Sequence, residues 1–144
     1  MSGSIDDVPH ALLHNLKHNR VMHERVIFLT AVAQDIPHVQ PEYAAEVEEL
    51  GDGCFYVKVH LGFKDSYDIR AIARTLERYN DFELDPGAAS FFLSRETVIS
   101  AQPDTVSGWR ERVFAGMLRN GQSAADFFHI PHDRVIEIGT QVVI

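Results

Sequence analysis

Three histidines near the start of the chain have a spacing that could bind a metal. His10, His14 and His18 are four residues apart, with His23-Glu24 following closely. If the segment is helical, the three imidazoles share one face, a geometry that zinc or nickel can use. The alternative, which we favour, is that these rings cap, pack and hydrogen-bond against a sheet. Metal binding through this face remains the alternative hypothesis.

Arginines supply a second possible chemistry, the binding of a phosphate. Ser94–Thr97 follows an apolar run, and residues just past strand ends line the usual ligand crevice of an α/β sheet. Arg95 there could hold a phosphate through two N–H donors. Arg110 and Arg112, beside aromatic stacking partners, extend the hypothesis to a nucleotide such as a cyclic dinucleotide. The alternative, which we favour, is structural, with Arg95 paired to a glutamate and the Ser and Thr hydroxyls holding a loop.

Nothing in the sequence indicates nucleophilic catalysis. Cys54 is the one cysteine, and it lies in a predicted strand with only His60 as an obvious basic neighbour. No nucleophile elbow, dinucleotide fingerprint or Walker-type loop is present. Glu46 and Glu48 alternate along a strand and are interpreted as solubility charges. We therefore expect no enzyme activity and no cofactor.

Composition indicates one globular domain with an acidic surface. The chain has 144 residues, 45% of them hydrophobic, and a formal net charge of -8. An acidic protein repels phosphate backbones and anionic lipid heads, so we expect no nucleic-acid partner and no polybasic membrane patch. The longest apolar run, Val26–Ala33, is far shorter than the roughly 20 residues of a membrane-spanning helix.

Hydrophobic periodicity places the elements that would position these residues. We expect an irregular lead-in over residues 1–8 and a single cytosolic domain over 9–144. The predicted elements are a helix from Pro9 to about Arg20, a strand within 24–32, a hairpin over 43–61, a helix from Asp65 or Ser66 to Asn80, a strand over 89–98, a helix around Trp109–Met117, a short helix capped by Ser123 and a strand over 134–144. This order predicts an α/β (α+β) fold, with one mixed sheet of about five strands, including one antiparallel hairpin, against three to four helices.

Four short blocks, in order, resemble the cytosolic tail of the KUP/HAK/KT potassium uptake permeases. They are the segments 9–24, 91–97, 109–120 and 127–139. The signature residues that we single out, with structural or interdomain roles, are His14, Asn15, Lys17, His18, Asn19, His23, Glu24, Ser94, Arg95, Glu96, Thr97, Trp109, Arg110 and Arg112. Together the blocks cover almost the whole chain.

The resemblance implies a regulatory or assembly domain rather than a pore. Full-length members carry membrane helices ahead of this domain and take up potassium, commonly coupled to protons. Their potassium-coordinating residues lie in the membrane part, so none can be assigned here. We expect the domain to lie on the cytoplasmic side of the plasma membrane. Its implied partners are the transmembrane domain of the same protein and a second copy in a homodimer, and the resemblance names no small-molecule regulator.

Overall fold

The architecture was analysed in a computed structural model, which describes residues 8–99 and 123–143. The helices are α1 (His10–Asn19), α2 (Ile69–Asn80) and the short α3 (Ala124–Phe127). The strands are β1 (Val26–Gln34), β2 (Ala45–Gly51), β3 (Cys54–Gly62), β4 (Phe91–Ile99) and β5 (Val135–Val143), and single 3-10 turns cover Pro41–Tyr43 and His132–Arg134. The α+β class and the antiparallel hairpin are confirmed, with five strands and three α-helices in the described residues.

The five strands are divided between two sheets, whereas the sequence predicted one. In the first sheet, β3 lies in the centre, parallel to β1 and antiparallel to β2. In the second, β4 and β5 run parallel with Phe91 opposite Val135. Periodicity identifies a strand and its buried face, but the choice of neighbour depends on contacts distant in sequence.

The main core lies between the first sheet and α2. Alternate residues of β3, including Val57 and Val59, are buried against Ile72 and Leu76 of the helix. The apolar residues that alternate along the hairpin thus pack against the apolar stripe of α2, as their sequences predict. A smaller cluster forms around Ile69 at the start of α2, with contributions from α3 and β4.

The residue that caps α2 differs from the prediction. Asp68 is the N-cap, and its carboxylate accepts a hydrogen bond of 2.8 Å from the Arg70 amide. Asp65, proposed for this role, is instead bonded to groups outside the helix. Ser123 caps α3 as predicted, accepting from the Asp126 amide at 3.2 Å.

Within the described ranges, none of the helices has the length and apolarity that crossing a membrane requires. The helix predicted around Trp109–Met117 lies outside the described residues.

Candidate functional site

The first signature block forms the end of α1 and folds the chain back on it. Asn15 is a buried polar residue, and its side-chain amide donates to the Val21 carbonyl at 3.0 Å. Its carbonyl oxygen accepts from the Asn19 amide at 2.7 Å. Arg20 adopts the left-handed conformation, with φ of 55°, and closes the helix. The asparagines of this block therefore have a structural role. The buried Asn15 side chain hydrogen-bonds both to Asn19 in the last helical turn and to the backbone of the segment that follows.

Three histidines of the block make ring contacts, two of them with each other. The rings of His14 and His18 are nearly parallel, with centroids 5.9 Å apart. The rings of His23 and Phe92 pack edge to face, with centroids 5.6 Å apart. This contact joins the first signature block to the second block on β4.

The backbone of Glu24, just before β1, lies in close contact with Gly53 in the hairpin turn. A side chain on Gly53 would overlap the carbonyl oxygen of Glu24, and Gly53 has a φ of +77°. The amide of Val26 donates to the Gly53 carbonyl at 2.9 Å. Only glycine allows this approach without strain.

A metal site through His10, His14 and His18 is not supported. Across residues 8–99 and 123–143, no three histidine, cysteine or acidic side chains come together in a way that could hold an ion. His10 is exposed in the first turn of α1.

The second block lies within a strand, not beyond the end of one. β4 continues to Ile99, so Ser94 and Arg95 are exposed positions in mid-strand. The backbones of Glu96 and Thr97 pair with β5. The sequence changes from apolar to polar at Ser94 because the side chains become exposed there. The backbone pairing with β5 continues beyond it. Ser94 and Arg95 therefore do not lie past a strand end, which was the premise of the phosphate hypothesis for this block.

Arg95 has a partner on the neighbouring strand. Its Nη1 lies 3.8 Å from Oε2 of Glu137 on β5, diagonal to its register partner Gly139. An arginine–glutamate pair was the structural alternative for this residue, although the exposed pair contributes little stability. Trp109, Arg110 and Arg112 lie outside the described residues, so no contact among the described residues supports the nucleotide hypothesis.

A polar centre at Asp65, which sequence reasoning missed, joins two loops. Its Oδ2 accepts from the amides of Val39 at 2.9 Å and Gly62 at 2.8 Å, and its Oδ1 lies 2.7 Å from Nδ1 of His38. Burial raises the pKa of Asp65, but the hydrogen bonds from Val39, His38 and Gly62 outweigh it and hold the pKa below its ordinary value. Because two of these partners are 26 or more residues away, no local signal could reveal them.

A second polar chain crosses all three strands of the first sheet. Gln34 Nε2 on β1 lies 2.9 Å from Nδ1 of His60, whose Nε2 lies 2.8 Å from Oε1 of Glu46 on β2. If the glutamine donates to Nδ1, the neutral ring carries its proton on Nε2 and donates it to Glu46. Glu46, interpreted as a solubility charge, thus also ties the hairpin together.

The described surface also has an open cleft of about 310 Å³ between α2 and the loop that follows it. Its charged lining residues carry both signs and are Arg70, Arg74, Glu77, Glu83 and Asp85. The mixed charge does not select an anion or a cation, so the cleft indicates no ligand class.

Comparison with known proteins identifies the family. The family described as K+ potassium transporter C-terminal domain matches residues 1–144. "Probable potassium transport system protein Kup 2" of Cupriavidus necator is 48% identical over 141 residues, which is 96% of this chain and 22% of that protein. The "Probable potassium transport system protein Kup" of Pseudomonas fluorescens is 49% identical over 137 residues, 95% of this chain and 22% of that protein. No solved structure was found to match.

The chain spans less than a quarter of the length of these curated relatives. The predicted resemblance is confirmed, and the matched family is one of potassium transporters rather than an enzyme class. With the match extending over every residue, the chain belongs to the K+ potassium transporter C-terminal domain family.

Proposed function

We propose that this chain is the regulatory or assembly domain of a Kup-type potassium transport protein, lying on the cytoplasmic side of the plasma membrane. The observation that carries the proposal is the family match over all 144 residues, while the relatives extend far beyond the matched segment. In this proposal potassium uptake, with proton coupling, belongs to the remainder of the full-length protein. The domain itself neither transports the ion nor catalyses a reaction.

The geometry of the signature residues supports a role through contacts. Asn15 holds the end of α1, and His23 joins that end to Phe92 on β4. Arg95 pairs with Glu137 across the second sheet. These side chains tie elements to one another and do not converge on a common cavity. Such a scaffold can influence a transporter if its contacts with the membrane part differ between two transport states.

A chimeric transporter tests the proposal. The matched C-terminal segment of the Cupriavidus necator relative is replaced by this chain, and the chimera is produced in bacteria without their own potassium uptake. We expect growth at limiting potassium, because the relative's segment is 48% identical to this chain. A deletion of the segment should lower or deregulate uptake with the protein still present in the membrane. Unchanged uptake by the deletion variant would contradict a regulatory or assembly role.

A homodimer is part of the proposal, and the strand edges favour one mode of pairing. β1 carries no charged residue from Val26 to Gln34, whereas β2 carries Glu46, Glu48 and Glu49. Within the described residues both strands are sheet edges, and an uncharged edge is the better template for another chain. Sedimentation velocity should detect a dimer that Thr30→Lys weakens and that Glu48→Lys leaves intact. A monomer at every concentration would exclude pairing by this chain alone.

A further inference from the structure

Helix α1 buries one small and one polar residue and exposes two of its three leucines. Ala11 and Asn15, four residues apart, are each 6% exposed. Leu13 and Leu16, on the opposite side, are 47% and 36% exposed. A helix on a water-facing surface normally has the reverse arrangement, with its apolar stripe against the core. The two exposed leucines make this side of α1 a candidate contact surface.

The segment after α1 extends this apolar surface. Val21 and Met22 are 54% and 50% exposed. The hydrogen bond from Asn15 to the Val21 carbonyl holds the segment beside the last helical turn. The left-handed backbone conformation of Arg20 ends the helix and turns the chain into this segment. The buried asparagine thus keeps the two apolar pairs close together.

The charge of this region is opposite to that of the rest of the protein. Residues 8–23 contain Lys17 and Arg20 and no aspartate or glutamate. Since the whole chain has a net charge of -8, removing the two cations of this segment leaves -10 on the remainder. Neither Lys17 nor Arg20 forms an ion pair with any carboxylate in the described part of the chain. Between Asp7 and Glu24 the chain is therefore apolar with two cations, although the protein as a whole is acidic.

We propose that this surface docks on the anionic phospholipids of a bilayer. We call it the α1 patch, and its members are Leu13, Leu16, Lys17, Arg20, Val21 and Met22. Half of these residues lie on α1 and half on the segment after it, and exposed apolar side chains beside cations are a combination that favours contact with a bilayer surface. Cations attract the negative surface of the cytoplasmic leaflet, while the acidic remainder is repelled, so the charge separation also orients the domain.

The inference rests on the proposed function for the position of the patch. In the proposed function the domain is attached to the membrane part of the same protein and lies on the cytoplasmic side of the membrane, where the α1 patch can meet that leaflet. A tethered patch needs little intrinsic affinity, because attachment supplies a high effective concentration at the surface.

Vesicle co-sedimentation of the 144-residue chain tests the inference. The chain is mixed at high lipid concentration with vesicles of phosphatidylcholine alone, or of phosphatidylcholine and phosphatidylglycerol in equal parts. We expect binding to the anionic vesicles that exceeds binding to the neutral ones at least ~10-fold, since two cations each contribute near an anionic surface. The double variant Lys17→Gln/Arg20→Asn should lose that difference, and added salt should weaken it.

A second variant and a control separate docking from folding. Leu13→Gln/Leu16→Gln retains good helix formers and should reduce binding to anionic vesicles with an unchanged melting temperature. The control Ile36→Gln/Leu50→Gln replaces similarly exposed apolar residues outside the patch and should bind as the unchanged chain does. Equal binding by all variants, or no binding to either vesicle type, would overturn the inference.

The vesicle result is independent of the chimera experiment. If the chimera takes up potassium but the chain ignores lipid, the proposed function stands and the lipid inference fails. If Leu13→Gln/Leu16→Gln then abolishes uptake in the chimera, the α1 patch contacts protein and not phospholipid. If the chain binds anionic vesicles and the chimera fails to transport, the surface property stands without the proposed function.

Discussion

Replacing Asp65 by alanine removes the acceptor on which donors from two loops converge. Val39 and Gly62 donate backbone amides to its Oδ2, and His38 lies against Oδ1. The His38 side chain is 65% exposed, so its ion pair contributes little. The two amide bonds carry most of the effect, because both end on a charged and only partly exposed carboxylate.

The magnitude follows from those two bonds. Hydrogen bonds to a charged acceptor contribute about 1.5–3 kcal/mol each, and the partial exposure of Asp65 favours the lower value. Asp65→Ala should therefore lower the free energy of unfolding by about 3 kcal/mol. For a chain of this size that corresponds to a fall in Tm of about 10 °C. Asp65→Asn retains one acceptor oxygen without charge and should lose about half as much.

Urea denaturation followed by circular dichroism measures the change, with Asp35→Ala as the control. Asp35 is exposed, and its side chain forms no hydrogen bond among the described residues, so its replacement should change stability by less than about 0.5 kcal/mol. If Asp65→Ala unfolds at the same urea concentration as Asp35→Ala, the two amide bonds do not stabilise the fold.

The pH dependence provides an independent check on the same carboxylate. Its pKa in the folded chain is lowered, so the folded state favours the ionised form. The resulting stability is present above the unfolded pKa of about 3.9 and is lost as the pH falls through the lower folded pKa. The stability difference between the unchanged chain and Asp65→Asn should be constant near neutral pH and should shrink below about pH 4. A difference that grows on acidification would refute the assigned direction.

Three further substitutions test the fold by urea denaturation. Asn15→Ala leaves the Val21 carbonyl without its donor and should cost about 1–3 kcal/mol; a neutral effect would show that the buried amide is dispensable. Leu76→Ala opens a cavity at a fully buried position and should cost about 2–5 kcal/mol, with a smaller loss indicating that the core collapses around it. Gly53→Ala meets both a positive φ and the Glu24 carbonyl, so it should destabilise more than Gly51→Ala, which meets only the positive φ; equal losses would contradict the close approach.

The elements that were predicted well are those whose signal is local. The hairpin follows from alternation on both sides of Gly51-Asp52-Gly53, and α2 follows from a stripe of apolar residues at helical spacing. The Ser123 cap was also correct, because a cap bonds to an amide within three residues.

Predictions failed where the deciding partner is distant. Asp65 was assigned to the helix start, but the amide of Val39 and the ring of His38 compete for its carboxylate from 26 or more residues away. The strand predicted over 89–98 is confirmed and runs through Ser94 to Ile99, paired with β5, so the phosphate hypothesis was mistaken in placing Ser94 past a strand end. In each case the residue type was informative about chemistry, while its partner was not encoded nearby.

By itself, the sequence determined the secondary-structure elements within the described residues, the family and the acidic net charge, since periodicity, ordered blocks and composition can be read without knowing any contact. Only the tertiary structure decided how the strands divide between two sheets and which face of α1 is buried. The physical reason is that Ala11 and Asn15 are buried, and the Asn15 side chain donates to the carbonyl of Val21 after the helix. The two exposed leucines and the cations of the α1 patch therefore lie on the outside. Side-chain fit and hydrogen-bond satisfaction are properties of contacts, and they exist only once distant segments meet.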